Sequence, residues 1–183
     1  MTNNVPGADN QQERPLSPDW ITGFVDGEGC FSIGFIHQHG GFNRTGYKTG
    51  YQVAHEFVVT QGAKSVECLL RMQVFFGVGQ VTINRRHDNH KEPMYRFVVR
   101  KRDDLTQVIT PFFTANPLQT AKQLDFQKFV RCLQIINQNG HLTTKGLIEI
   151  ANIVETMNRH KSKRVLVGIL RDYTPDAATA VKI

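Results

Sequence analysis

The spacing of apolar and polar positions divides the chain into extended and helical stretches. From Cys30 to Ile36 the period is two, with Phe31, Ile33 and Phe35 on one side and Ser32, Gly34 and Ile36 on the other, which predicts a strand. Tyr51 to Gln61 repeats the pattern, Val53, His55, Phe57 and Val59 alternating with Gln52, Ala54, Glu56, Val58 and Thr60, and the two stretches predict a long hairpin. Residues 79–87 and 94–101 continue the alternation as two more strands, with Tyr95, Phe97 and Val99 inward and Arg96, Val98 and Arg100 outward. Between the pairs, residues 64–77 carry apolar side chains at 66, 69, 70, 74 and 75 and stop at Gly77, which predicts a helix packed on the apolar face of the sheet.

Helix signals flank this core. Ser17 as N-cap, Pro18 at the first helical position and Asp19 in the first turn open a short helix, and Gly27 and Gly29 permit the left-handed or extended backbone that ends it. A short helical segment follows Asp103 and Asp104, and Thr120 to Gln123 fits a capping box ahead of a helix over 124–136. Thr143 or Thr144 caps a further helix through Asn158 with Leu147, Ala151 and Val154 on one stripe, and residues 163–172 predict a last short one. Helices on one face of an antiparallel sheet give an α+β fold whose other face is open.

At 183 residues the chain is of one-domain size. Residues 1–15 are polar and aperiodic and read as an N-terminal tail, 16–173 as the single domain, and 174–183 as a C-terminal tail. No stretch is apolar and long enough to span a bilayer, and the N-terminus carries no secretion signal, so the expectation is a soluble, intracellular, non-secreted chain with no membrane partner. The 3 cysteines are an odd, widely spaced set that predicts neither a disulfide frame nor a zinc knuckle, and each is expected to be a buried small apolar residue.

Charge adds a location. The net charge is +6, yet residues 1–60 hold 3 basic and 6 acidic side chains, while residues 61–120 hold 9 and 5 and residues 121–183 hold 10 and 5. Clusters from Arg85 to Arg102 and from Asn158 to Arg164 point to a polyanionic partner. An open, basic, four-stranded face suits the major groove of DNA, which admits a β-ribbon. The outward positions Ser32, Gly34, Ile36 and Gln38, then Gln52, Ala54, Glu56 and Val58, then Thr82, Asn84 and Arg86, and finally Arg96, Val98 and Arg100 form a chemically mixed set for reading base edges. Lys161, Lys163 and Arg164 are expected on phosphates. An RNA-binding sheet with stacking aromatics fits poorly, because Phe31, Phe57, Tyr95 and Phe97 have inward parity. The run His87 to His90 reads as a turn rather than as a metal site.

The segment from Ile21 to Gly29, ITGFVDGEG, resembles the signature of the LAGLIDADG homing endonucleases, and Cys30-Phe31-Ser32-Ile33 resembles the strand that follows it there. The resemblance runs over residues 17–172: VVTQ ends the second strand, GVGQV begins the third, and NPLQTAKQLDF and HLTTKGLIEIANIVETMN follow. It implies a four-stranded DNA-binding sheet backed by helices with the motif helix at a dimer interface. It also implies sequence-specific cutting of both DNA strands, leaving staggered ends at a long near-palindromic site, as in intron homing. A chain with one motif is implied to work as a homodimer, and Gly23 and Gly27, four apart on one helix face, would let two such helices approach closely.

Glu28, in place of the aspartate of the family's namesake motif, stands at the helix end, where its carboxylate and the carbonyl of Gly27 suit a hard divalent cation. Mg²⁺ is the expected ion, Mn²⁺ an alternative, and Ca²⁺ is expected to support binding without cleavage. By resemblance Gln61 orders water beside the metal, and Lys122 is the basic residue near the scissile phosphate, although Thr120 stands where some relatives have a second lysine. Asp26 is expected to be structural, hydrogen-bonding at the helix seam. The rival reading is a binder on the same fold, an intron-RNA maturase or a non-cleaving regulator. The compartment is expected to be an organelle or a bacterial cytoplasm.

Overall fold

The computed structural model describes residues 15–37, 50–85 and 93–158. Gln38, Arg86, the turn 87–90, Lys161, Lys163, Arg164, the 163–172 helix, residues 1–14 of the N-terminal tail and the whole C-terminal tail lie outside them. The elements run α1 (Pro18–Glu28), β1 (Gly29–His37), β2 (Tyr51–Gly62), α2 (Val66–Phe76), β3 (Gln80–Asn84), β4 (Met94–Val99), a helical stretch, α5 (Lys122–Asn137) and α6 (Thr144–Glu155). The helical stretch begins as α3 (Arg102–Asp104), widens to a π turn over Leu105–Ile109 and resumes as α4 (Thr110–Ala115). Pro111 supplies a reason for the widening, since its ring lacks an N–H and crowds the carbonyl four residues back.

The four strands form one antiparallel sheet in the order β1-β2-β4-β3. The hairpin pairs Gly29 with Val59 and Phe31 with Phe57, and β4 sits centrally, pairing Phe97 with Val59 on one side and with Val81 on the other. Phe31 is the hub of the core, with ring centroids 5.0 Å from Phe57, 5.5 Å from Phe113, 5.1 Å from Phe126 and 5.5 Å from Phe129. All five rings are buried, so α4 and α5 clamp the inner face of the sheet through aromatic contacts.

Several expectations hold in detail. Ser17 caps α1, its hydroxyl accepting from the Trp20 N–H at 3.2 Å. Gly77 ends α2 in the left-handed conformation at φ +65°. Thr143 caps α6, accepting from the Gly146 N–H at 3.1 Å.

Others need correction. The face of α2 that meets the sheet is Leu69, Met72 and Phe76, whereas Leu70, Val74 and Phe75 are 40%, 84% and 37% exposed. The periodicity allowed either stripe, and Phe76 decides it by stacking on Phe97 and meeting Phe57 edge-on. Val98, assigned to the open face, is only 5% exposed. It lies on a central strand between Val58 and Gln80, with Arg96 and Arg100 two residues away along β4. Of the cysteines only Cys132 is buried, and Cys30 and Cys68 are partly exposed; none of the 3 is in a disulfide. The capping box at α5 does not form: Thr120 Oγ accepts from the Lys122 N–H, and Gln123 Oε1 accepts from the N–H of Leu118 instead.

Candidate nucleic-acid cleavage site

α1 delivers Glu28 to the rim of the sheet by passing into β1 without a loop. Ile21, Thr22 and Val25 bury one face of the helix, and Gly29 leaves it in an extended conformation at φ −79° and ψ 158°. Glycine is required at the joint by close approach rather than by a left-handed backbone: a Cβ on Gly29 would stand 2.6 Å from Val25 Cγ1 and 2.9 Å from the Val25 carbonyl oxygen. The abrupt change from helix to strand leaves the Glu28 side chain exposed, and it makes no hydrogen bond with the described residues.

Lys122, the first residue of α5, reaches the same helix end. Its ammonium donates to the carbonyl oxygens of Val25 at 2.9 Å, Gly27 at 3.4 Å and Gly29 at 2.5 Å. A cation on the C-terminal carbonyls complements the helix dipole, and it keeps a positive group beside Glu28. Burial of the ammonium pulls its pKa below the ordinary lysine value, against the opposing influence of Cys30, Asp26, Glu28 and Asp125.

Asp26 fixes that lysine from behind. Its carboxylate accepts from the Gln119 N–H at 2.6 Å, the Thr120 N–H at 3.2 Å and the Thr120 hydroxyl at 2.7 Å, tying α1 to the turn that launches α5. Its structural role is as expected, but it is spent on the α5 turn and not on a helix seam. Composition and spacing gave no signal for this clasp, which joins residues 93 and 94 apart in the chain. Gln61 lies near the end of β2, two residues past the partner of Gly29 and so about 7 Å along the strand toward the α1 terminus. The same joint is braced further out by Asn158, whose backbone N–H donates to Asp125 and whose side-chain amide donates to the Phe31 carbonyl.

The donor set at this joint fits a hard cation only as part of a larger shell. Among the described residues no group of three or more His, Cys, Asp or Glu converges to hold a metal, so the chain brings the Glu28 carboxylate and backbone oxygens. Mg²⁺ is typically held by one or two carboxylates with water and phosphate oxygens completing six positions. The Gly27 carbonyl already accepts from Lys122, but a carbonyl oxygen has a second lone pair.

The outward face of α1 carries Trp20, Gly23, Phe24 and Gly27 on one stripe, opposite Ile21 and Val25. The Trp20 and Phe24 rings stack at 4.6 Å, Trp20 is 40% exposed, and neither glycine would bring a Cβ within 4 Å of another group among the described residues. On the sheet, Ser32, Glu56 and Arg100 share the outward face, and Gly34 and Ala54, too small to fill it, help line a recess of about 540 Å³. Thr82 and Arg96 are register partners, and the Thr82 hydroxyl and Arg96 Nε are buried without a hydrogen-bond partner among the described residues.

A helix that ends in an acid at the edge of a four-stranded sheet, with a lysine folded onto its last carbonyls, defines the class, and the chain belongs to the LAGLIDADG endonuclease family, whose model matches residues 21–133. An uncharacterized 50.9 kDa protein in ND4 intron 1 of Podospora anserina is 35% identical over 130 residues, 70% of this chain and 26% of that protein. Probable intron-encoded endonuclease 3 of Neurospora crassa is 28% identical over 158 residues, 85% of this chain and 27% of that one. Among solved structures, the homing endonuclease I-TnaI superposes with a TM-score of 0.71 at 39% identity, covering 87% of this chain and 99% of that one. I-SmaMI bound to cleaved DNA gives 0.73 at 27% identity, covering 85% of this chain and 48% of that one. The chain thus spans from about a quarter to about half the length of the curated relatives it matches.

Proposed function

We propose that this chain is a sequence-specific, metal-dependent DNA endonuclease that cuts both strands of a long near-palindromic site as a homodimer, in the service of intron homing. The observation that carries the reading is the Lys122 ammonium seated on the α1 carbonyls next to an exposed Glu28. A protein that only binds nucleic acid has no chemical need for an exposed acid at that helix end. Relatives named as intron-encoded endonucleases, and a fold shared with I-SmaMI bound to an uncleaved DNA target in the presence of calcium ions, support the same reading.

In this proposal two α1 helices meet along the stripe of Gly23 and Gly27, so that the two Glu28 carboxylates stand close together below the DNA. Glu28 and the Gly27 carbonyl would hold Mg²⁺, or Mn²⁺ in its place, which when bound acidifies an attacking water and neutralises the leaving oxygen. Gln61 orients water at the strand end. Lys122 offsets the negative charge that develops on the phosphate, and its lowered pKa comes from the desolvated position that puts it there. The outward side chains of the sheet read base edges in the major groove. Such a target places the protein in a DNA-bearing compartment, an organelle or a bacterial cytoplasm.

Selection of cut sites from a randomised duplex library tests the proposal. Wild type with Mg²⁺ is expected to release one enriched sequence, cut with a stagger. Glu28→Gln is expected to bind that sequence in Ca²⁺ within about tenfold of wild type and to leave it uncut. Enrichment by binding with no metal-dependent cut would transfer the chain to the regulator or intron-RNA maturase reading.

A further inference from the structure

Arg100 follows β4 directly and stands across from Glu56, continuing the register in which Val99 pairs with Phe57. Its Nε donates to Glu56 Oε2 at 3.0 Å, and its Nη2 stands 2.9 Å from the same oxygen as an ion pair. One edge of the guanidinium is thereby taken by the carboxylate, and the opposite edge, made of Nη1 and the second Nη2 hydrogen, keeps three donors. That edge is the one that can meet O6 and N7 of guanine together. The Arg100 side chain is 56% exposed, and it lines both the recess of about 540 Å³ between β1 and β2 and a second of about 550 Å³ beside Gly79 and Gln80. Glu56 is less exposed, at 29%, and its Oε2 is committed to Arg100.

On the DNA-reading function proposed above, on which it rests, we infer that Arg100 is a guanine-selecting residue of the sheet and that Glu56 is the positioning residue that aims it. A carboxylate bound side-on to an arginine has two effects here. It restricts the long side chain before DNA arrives, which reduces the ordering cost of binding. It also cancels much of the local positive charge, which disfavours phosphate as the partner and leaves a base edge as the better one.

The experiment is a binding selection by the full chain from randomised duplexes in Ca²⁺, run in parallel with Arg100→Gln, Glu56→Ala and Glu56→Gln. Both side chains lie outside the core, so the variants fold. Wild type is expected to enrich guanine at one position in each half of the site. Arg100→Gln should convert that position, and no other, to adenine, because glutamine pairs bidentately with adenine. Glu56→Ala should reduce the guanine preference there by about tenfold, and Glu56→Gln, which retains a carbonyl acceptor for Nε, should retain most of it. Equal weakening of every sequence by Arg100→Gln, with a shallower salt dependence, would overturn the inference in favour of a phosphate contact. A change at a second, separate position in Glu56→Ala would overturn it in favour of an independent Glu56 reader. A strongly enriched site with every position indifferent to Arg100→Gln would overturn this inference alone, whereas a wild type that enriches nothing would overturn the DNA-reading function with it.

Discussion

Removing the Asp26 carboxylate should separate α1 from α5. In Asp26→Ala three acceptor contacts disappear, to the Gln119 N–H, the Thr120 N–H and the Thr120 hydroxyl. Hydrogen bonds to a charged group contribute about 1.5–3 kcal/mol each when well buried, but this carboxylate is only half-buried and the three share one group, so roughly 2–3 kcal/mol for the set is the expected loss. For a chain of this size that corresponds to a fall in Tm of roughly 4–12 °C. Urea unfolding of Asp26→Ala, Thr120→Ala and the double variant measures it, with the midpoint moving at constant slope. The coupling between the two positions should be about 0.5–1.5 kcal/mol, and Asp26→Asn, which retains one oxygen, should lose about half as much as the alanine variant. On the proposed function, cleavage at a temperature where every variant is folded should fall up to ~100-fold, because Lys122, assigned there to the phosphate, begins where the clasp ends and a displacement of about 1 Å at a catalytic group has that effect. A loss below about 0.5 kcal/mol, or strict additivity with Thr120→Ala, would refute the clasp.

Gly29→Ala should lower stability by about 1–3 kcal/mol by forcing Val25 and its carbonyl away from a Cβ that has no room, and an unchanged melting curve would contradict that crowding. Gly23→Leu should leave the protomer folded, since its Cβ meets nothing within 4 Å, while blocking the helix seam; a cleanly dimeric variant in sedimentation would remove the seam from the proposal. His55 and His141 are both held below the usual histidine pKa, first by burial and then by Arg102. The unfolded chain therefore binds more protons than the folded one at and below pH 6.5, and stability should decline as the pH falls through that region. Melting curves from pH 8 to 5 check the sign, and replacing both histidines with glutamine should flatten the profile.

The strand alternation, the Ser17 and Thr143 caps and the Gly77 stop were legible because each is a local device, settled within a few residues. The motif helix was legible for a different reason, as a resemblance in sequence. Which stripe of α2 faces inward was not, because two apolar stripes compete and the choice belongs to Phe76 against Phe97. Val98 was misread because parity says which way a side chain points but not how crowded a central strand is. The place of Lys122 was expected from resemblance alone, and its contacts with Val25, Gly27 and Gly29 depend on how α5 crosses β1. The Asp26 clasp and the Glu56–Arg100 pair join residues far apart in the chain, and cross-strand register is not written in either strand by itself.

Outward side chains on one strand recur every second residue, about 6.8 Å apart, while DNA rises about 3.4 Å per base pair. On the proposed DNA-reading role, positions 32, 34 and 36 of β1 would face alternate base pairs, and the skipped ones would fall to the neighbouring strand some 4.8 Å aside. Arg96 and Arg100, four residues apart, stand about four base pairs from one another on this ruler. Its pitch is set by the backbone and its markings by side chains that point away from Phe31, Phe57 and Phe97. On that role a new target would be acquired by changing one rung at a time, with no demand on the aromatic core that keeps the rungs in line.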